Sequence, residues 1–259
     1  MKNIILLFVL VVTLSGCGGY SMVSRQIENP VIIDGNSEDW NWKLKYFEKE
    51  HMAVGISEDA DNLYICLATA DRANIMKILR FGLTIWLEPG NSKGEAIGIQ
   101  YPIKSVSDEA RRLIDPLYQR KNKDIVRELI EKVKMTQSEY LVINEDDFPL
   151  GAYSLKNEKG AELAIGYDSG KLVYEIKIPK KSKDYFPVDL TGTGDNELTV
   201  SIKSEVPVVL GMKGSPTQNR MTGRNGGMGR GKGMGRRNLN QDGLNGPIDF
   251  EINVKFNKN

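Results

Sequence analysis

Apolar and polar residues alternate in short runs along most of this chain, and turn-forming residues separate the runs. The pattern predicts two β-hairpins, one over residues 52–68 and one over 162–178, the second closed by an Asp-Ser-Gly turn. Alternation in the second arm of this later hairpin predicts one core face and one wet face. Further strands are predicted at residues 31–33, 81–87, 95–101, 140–143, 197–203 and 248–256. Many short strands with turn signals predict a mainly β chain folded as an antiparallel β-sandwich.

One inserted segment, residues 107–135, departs from the strand pattern. It is charged and amphipathic, and its apolar residues recur at helical spacing between positions 125 and 133. Pro116 is expected to divide the segment into two helices, because proline interrupts the helical hydrogen-bond ladder. A short helical turn is also predicted at residues 74–79.

A second departure is the segment 211–247, which is rich in glycine, methionine and arginine. It lacks the apolar residues that a packed unit needs, so we predict a disordered, basic loop inside the sandwich domain. Four interpretations stay open: a spacer, a Cu(I) site built from thioethers, a surface for lipid or nucleic-acid phosphates, and a docking loop for an acidic protein. The segment contains no aromatic residue to stack on bases, and we expect no nucleic-acid partner.

The N-terminus combines one lysine with an apolar run at residues 4–12, too short for a transmembrane helix of about 20 residues. Residues 14–17, Leu-Ser-Gly-Cys, resemble the lipobox of bacterial lipoproteins. That resemblance implies a signal peptide at 1–16, fatty-acid (palmitate) attachment at Cys17, a tether at 17–28 and a single β-sandwich domain at 29–259. The expected location is the cell envelope, with lipid anchorage to a membrane. Gly18 favours the outer membrane, facing the periplasm.

Composition narrows the chemistry further. The 259-residue chain carries 35 basic and 34 acidic side chains, so no strong overall field attracts a charged polymer. With Cys17 acylated, Cys66 has no disulfide partner, and its apolar surroundings predict a buried, inert thiol. His51 is the sole histidine, which excludes a site built from several histidines. It and Met52 point to opposite faces of a strand and cannot both ligate one haem iron, so no cofactor is expected.

Three further motifs follow one another along the chain. Residues 33–40 begin Ile-Asp-Gly and end Asp-Trp, residues 58–65 join an acidic turn to Asn-Leu-Tyr-Ile, and residues 82–88 read Gly-Leu-Thr-Ile-Trp-Leu-Glu. Together they resemble family 9 carbohydrate-binding modules and the related DOMON-like sandwiches. The resemblance implies two antiparallel sheets. In that family two tryptophans hold the sugar, one of them just before the third strand. This chain has no tryptophan at 77–82, and Trp86 is predicted to lie in the core.

The candidate binding residues are Asp34, Asp39 and Trp42. The two aspartates are either backbone-bonding residues of the Asp-Gly turn or ligand contacts. Trp40 is predicted to be structural, whereas Trp42 is the candidate platform for a sugar ring. The acidic turn at 58–61 is either solvated or a calcium site.

These observations favour a noncatalytic, membrane-anchored binding or accessory module, with carbohydrate as the candidate ligand. The first alternative is a structural or assembly lipoprotein that docks an envelope protein. A glycan-active enzyme using Asp34 or Asp39 is the third hypothesis, and it lacks a recognisable pair of catalytic carboxylates. No catalytic residue and no metal site are predicted.

Overall fold

The computed structural model describes residues 19–40, 43–90, 96–103, 124–157, 160–181, 190, 197–205 and 246–256. Cys17, Trp42, residues 107–123 of the predicted helical insert and residues 211–245 of the predicted loop lie outside these ranges. The predictions for them therefore stay predictions.

The described helices and strands follow one another in a simple order. The helices are α1 (Arg72–Phe81) and α2 (Asp124–Thr136). The strands are β1 (Tyr20–Val23), β2 (Arg25–Gln26), β3 (Lys45–Phe47), β4 (Met52–Glu58), β5 (Asn62–Thr69), β6 (Leu83–Pro89), β7 (Ile97–Gln100), β8 (Glu139–Ile143), β9 (Pro149–Ser154), β10 (Glu162–Asp168), β11 (Lys171–Pro179), β12 (Glu197–Ser204) and β13 (Asp249–Lys255).

These strands form two sheets. The first has the order β1-β13-β12-β6-β7-β8-β9, and the second has the order β10-β11-β5-β4-β2, with β3 also paired to β4. One apolar cluster draws on both sheets, for example through Ile85 and Val200 of the first and Ile65 and Ile176 of the second. The predicted β-sandwich is therefore confirmed. The short strands β1 and β2 join its edges in parallel pairings with β13 and β4.

Both predicted hairpins are confirmed, as β4–β5 and β10–β11. Residues 31–33 were expected to be a strand, and that prediction is wrong: the N–H of Ile32 donates to the Asp39 carboxylate at 3.0 Å instead of joining a ladder. Residues 20–23 and 25–26 of the expected tether form β1 and β2, which leaves Gly19 as the described residue ahead of the first strand.

The two helices pack on the sandwich by their apolar faces. The Asp71 carboxylate caps α1 by accepting the N–H of Asn74 at 2.9 Å, and the N–H of Gly82 donates to Ile78 at the other end. In α2 the buried residues recur at the spacing expected from the sequence, and the helix packs against β10 and α1. In the described parts of the chain, neither helix has the length and apolarity needed to span a membrane.

Candidate functional site: a covered sheet face and an open cleft

A stretch that we call the cover segment, residues 27–40 and 43–44, lies over the outer face of the second sheet. Trp40 is only 1% exposed there, so its predicted structural role is confirmed. The cover segment and the sheet together form a second, smaller apolar cluster. Its buried members are Val31, Trp40, Tyr64, Cys66, Ala68 and Val173. The Cys66 thiol is buried as predicted, and this burial raises its pKa well above the ordinary value.

Glu175 of β11 holds the cover segment in place. Its Oε1 accepts the indole N–H of Trp40 at 2.7 Å, and its Oε2 accepts the N–H groups of Gly35 at 2.7 Å and Asp34 at 3.1 Å. Burial raises the pKa of Glu175, and the three N–H donors oppose that rise. The wet face predicted for this arm is thus wrong at Glu175, because the cover segment excludes water from it.

Two glycines allow the cover segment to lie this close to the sheet. Gly35 adopts a positive φ of 85° in its turn. A Cβ on Gly166 would lie 2.1 Å from the carbonyl oxygen of Gly35. Likewise, a Cβ on Gly55 would lie 2.7 Å from the ring of Trp40. The Ile-Asp-Gly motif and its tryptophan are therefore fitted to glycines of the strands beneath them, β10 and β4.

The predicted binding aspartates bond the backbone of the cover segment. Oδ1 of Asp34 accepts the N–H of Asn36 at 2.8 Å, and Oδ2 of Asp39 accepts the N–H of Ile32 at 3.0 Å. Both side chains are exposed, and neither lines the cleft described below. Of the two interpretations left open, the geometry favours the structural one.

The carboxylates of the acidic turn also bond to groups of the protein itself. Asp59 accepts the N–H groups of Asp61 and Asn62 and the hydroxyl of Tyr64, while Glu58 pairs with Lys180. Across the described ranges, no group of three histidine, cysteine, aspartate or glutamate side chains is arranged to hold a metal ion.

Trp86 was expected in the core, and the structure corrects this. Leu83, Ile85 and Leu87 of β6 enter the core, so the alternation of the strand turns Trp86 to the outer face of the first sheet. It is half-buried there, between Gly98 and Ser201 of the neighbouring strands.

An open cleft of about 350 Å³ lies on the outer face of the second sheet. One row of its lining crosses β3, β4 and β5 in register and consists of Tyr46, Ala53 and Ala68. The two alanines leave a depression because their side chains are short, and Tyr46, 57% exposed, stands at its edge. The cleft is lined by Tyr46, His51, Ala53, Ala68, Ala70, Asp71 and Lys171.

Polar groups of three kinds line this cleft: an imidazole, a carboxylate and an ammonium. His51 has a left-handed φ of 48°, and its carbonyl accepts the hydroxyl of Thr69 at 2.7 Å, which fixes the turn that carries its exposed side chain. Asp71 is held as the cap of α1, and Lys171 begins β11. Sequence reasoning missed Tyr46 and Lys171, since neither belongs to a motif.

Comparisons with known proteins found similarity in solved structures alone. No protein-family model and no curated protein sequence matches the chain. A family 9 carbohydrate-binding module from Caldicellulosiruptor kristjanssonii in complex with cellotriose has 12% identity and a TM-score of 0.32, covering 70% of this chain and 75% of that chain. A family 9 carbohydrate-binding module from the same organism in complex with glucose has 11% identity and a TM-score of 0.31, and it also covers 70% of this chain and 75% of that chain.

Proposed function

We propose that this protein is an exported, lipid-anchored, noncatalytic module that binds a carbohydrate in the cleft. The observation that carries the proposal is the exposed ring of Tyr46 beside an alanine floor, with His51, Asp71 and Lys171 around it. The Ile-Asp-Gly, Asn-Leu-Tyr and Trp-Leu-Glu motifs, which resemble those of family 9 carbohydrate-binding modules, add support from the sequence.

The chemistry of the cleft suits a small saccharide. A sugar ring has an apolar C–H face, which packs on the apolar body of an aromatic side chain, and an edge of hydroxyl groups. Asp71 offers acceptor oxygens, Lys171 offers donors, and the imidazole ring of His51 offers nitrogen atoms for hydrogen bonds. A cleft of about 350 Å³ is at the small end of the range for ligand pockets, roughly 300–1,000 Å³.

Membrane anchorage through Cys17 is the second part of the proposal. It is supported by the Leu-Ser-Gly-Cys sequence and the short apolar run before it. Several acyl chains on one residue give stable anchorage, since each buried methylene contributes about 0.8 kcal/mol. Gly18 after the cysteine favours the outer membrane.

The binding prediction is tested with a glycan array followed by calorimetry on the saccharide that binds best. Replacing Tyr46 with alanine removes the stacking surface, so we expect Tyr46→Ala to weaken binding by about tenfold or more, which corresponds to about 1.4 kcal/mol. Phe148→Ala is the matched control, because Phe148 is 64% exposed immediately before β9, a strand of the other sheet. It should leave binding unchanged.

A third variant distinguishes two locations for the site. Trp86→Ala removes the half-buried aromatic residue of the first sheet and should also bind normally. If Trp86→Ala loses binding and Tyr46→Ala keeps it, the cleft is the wrong site. If no saccharide on the array binds the wild-type protein, the carbohydrate proposal itself is wrong.

A docking function for an envelope protein is the second candidate, favoured by a different surface. Phe148 and Leu150 are exposed at β9, the strand that ends the first sheet. Exposed apolar residues at a sheet edge are typical of protein contacts. Under this hypothesis an envelope partner cross-links to the wild-type protein and to Tyr46→Ala, and Phe148→Ala loses it.

A further inference from the structure

The cleft and the start of the described chain lie at the same edge of the sandwich. The ring of Tyr20, at the start of β1, packs edge-on against Phe47 with centroids 4.5 Å apart and against Phe250 with centroids 6.1 Å apart. Its hydroxyl donates to Oε1 of Glu50 at 3.1 Å. These contacts fix β1 to the turn between β3 and β4.

A second contact joins β1 to the strand that carries the cleft's aromatic residue. The ammonium of Lys45 in β3 donates to the carbonyl oxygen of Ser21 in β1 at 3.3 Å. Tyr46 is the next residue after Lys45, and His51 follows Glu50. Strand β1, the strand nearest the tether, therefore lies beside the strand and the turn that carry two residues of the cleft.

The length of the chain between Cys17 and β1 limits how far this edge lies from a lipid. Cys17 is three residues before Tyr20, so the two α-carbons are at most about 10 Å apart. An acylated Cys17 would hold the edge of β1 and β3 close to the headgroups. Strand β9 ends the same sheet six strand positions away, about 29 Å.

The surface of this edge suits a bilayer interface of low charge. Val23 is 55% exposed and Tyr46 is 57% exposed. Close by, the charges balance, with two lysines and two glutamates at positions 45, 49, 48 and 50. A surface without an excess of basic residues lacks the attraction that anionic lipids exert on basic clusters, so it suits an uncharged headgroup layer better than a polyanionic one.

From these contacts we infer that the cleft opens at the bilayer surface and takes its saccharide as the headgroup of a glycolipid in the membrane that holds the anchor. This inference rests on the proposed function and gives its ligand a location. A soluble polymer would have to enter between the edge and the bilayer, whereas a headgroup already lies there.

Orientation is tested on the full-length, lipidated protein in phosphatidylcholine vesicles that contain a nitroxide-headgroup lipid. A fluorophore is attached through Lys49→Cys beside the cleft or, as the matched control, through Asp146→Cys before β9; both positions are exposed. Cys66 is fully buried and Cys17 is acylated, so each variant takes a single label. We expect at least twofold stronger quenching at position 49. Equal quenching, or stronger quenching at position 146, would overturn the inference.

Ligand presentation is tested with the saccharide that binds best on the array. It is offered to the labelled Lys49→Cys protein either free in solution or coupled to phosphatidylethanolamine in the same vesicles. The inference predicts that the coupled form is bound at least ten times more tightly at equal total concentration. If the free saccharide binds and the coupled form does not, the inference fails while the carbohydrate proposal stands. If no saccharide on the array binds and Tyr46→Ala behaves like the wild-type protein, the proposed function fails. The quenching experiment still reports the orientation of the protein on the vesicle.

Discussion

At the scale of single residues, the carboxylate that matters for the Ile-Asp-Gly motif is that of Glu175. It accepts three N–H groups, from Asp34, Gly35 and Trp40, in a buried site. Glu175→Gln keeps the size of the side chain but replaces one of its two acceptor oxygens with an NH₂ group. That NH₂ group cannot accept a hydrogen bond from the N–H groups that face it. At least one buried N–H is left unpaired, so we expect the free energy of unfolding to fall by about 1–3 kcal/mol. Urea unfolding followed by tryptophan fluorescence measures this loss.

Glu162→Gln is the matched control for that substitution. Glu162 lies on β10 and pairs with Lys177 at 2.6 Å, with both side chains partly exposed. Exposed pairs contribute little, so the control should lose less than about 1 kcal/mol. Equal losses in the two variants would show that Glu175 has no special part in holding the cover segment.

The contrast between Glu175 and the two aspartates shows which structural roles of single side chains can be predicted from the sequence. The turn roles of Asp34 and Asp39 and the burial of Trp40 could be read from the Asp-Gly turn and from alternation. Glu175 could not, because a polar residue at an alternating position normally faces water. Its burial depends on a segment some 140 residues earlier in the chain.

At the scale of elements, the cover segment depends on the absence of a side chain at Gly166. A methyl group there would lie 2.1 Å from the carbonyl oxygen of Gly35, so the segment would have to move away from the sheet. We expect Gly166→Ala to lower the free energy of unfolding by about 1–3 kcal/mol, the usual cost of overpacking. The fluorescence of Trp40 should shift towards that of an exposed indole in the folded protein.

Gly170→Ala separates this steric effect from the effect of the glycine backbone. Gly170 has a positive φ of 85°, and a Cβ there meets open space. The control should cost about 1 kcal/mol from its backbone conformation alone and leave the fluorescence of Trp40 unchanged. A shift of fluorescence in Gly170→Ala, or none in Gly166→Ala, would argue against the close approach.

Elements built from neighbouring residues could be predicted, and elements built from distant residues could not. The hairpins β4–β5 and β10–β11 were predicted because the two strands of each pair with one another across a short turn. Strands β1 and β2 are short, and they exist because they meet β13 and β4 in parallel. The β-branched run at 31–33 favours a strand, yet it packs on a sheet face as part of the cover segment.

At the scale of the whole molecule, the two-sheet architecture follows from the sequence, while the place of the cleft does not. Alternation in many short strands is enough to predict a sandwich. The cleft needs Tyr46 from β3, Ala68 from β5 and Lys171 from β11 to meet on one face, and nothing in the sequence aligns them in advance. Strand order and register create the site.

Strand order also brings the two ends of the described chain together around Lys180. Its ammonium lies 2.5 Å from Oε2 of Glu58 and over the ring of Phe256, and the hydroxyl of Ser24 donates to the same carboxylate. Residues close to both ends of the described chain are thus joined to β4 and to the end of β11. The network lies at the end of β4 away from the cleft.

This ion pair gives a prediction about the stability of the whole molecule. The side chains of Glu58 and Lys180 are 3% and 17% exposed, so removing either one takes the opposite charge away from a group that is largely withdrawn from water. We expect Glu58→Gln and Lys180→Met each to lower the free energy of unfolding by about 2 kcal/mol or more. The double variant removes both charges of the pair and should lose less than the sum of the singles, by about 1–3 kcal/mol in a urea-based double-mutant cycle. Glu197→Gln, which breaks an exposed pair with Lys255, should cost under about 1 kcal/mol. If the two single losses simply add, the chain ends are held by packing around Phe256 and not by the ion pair.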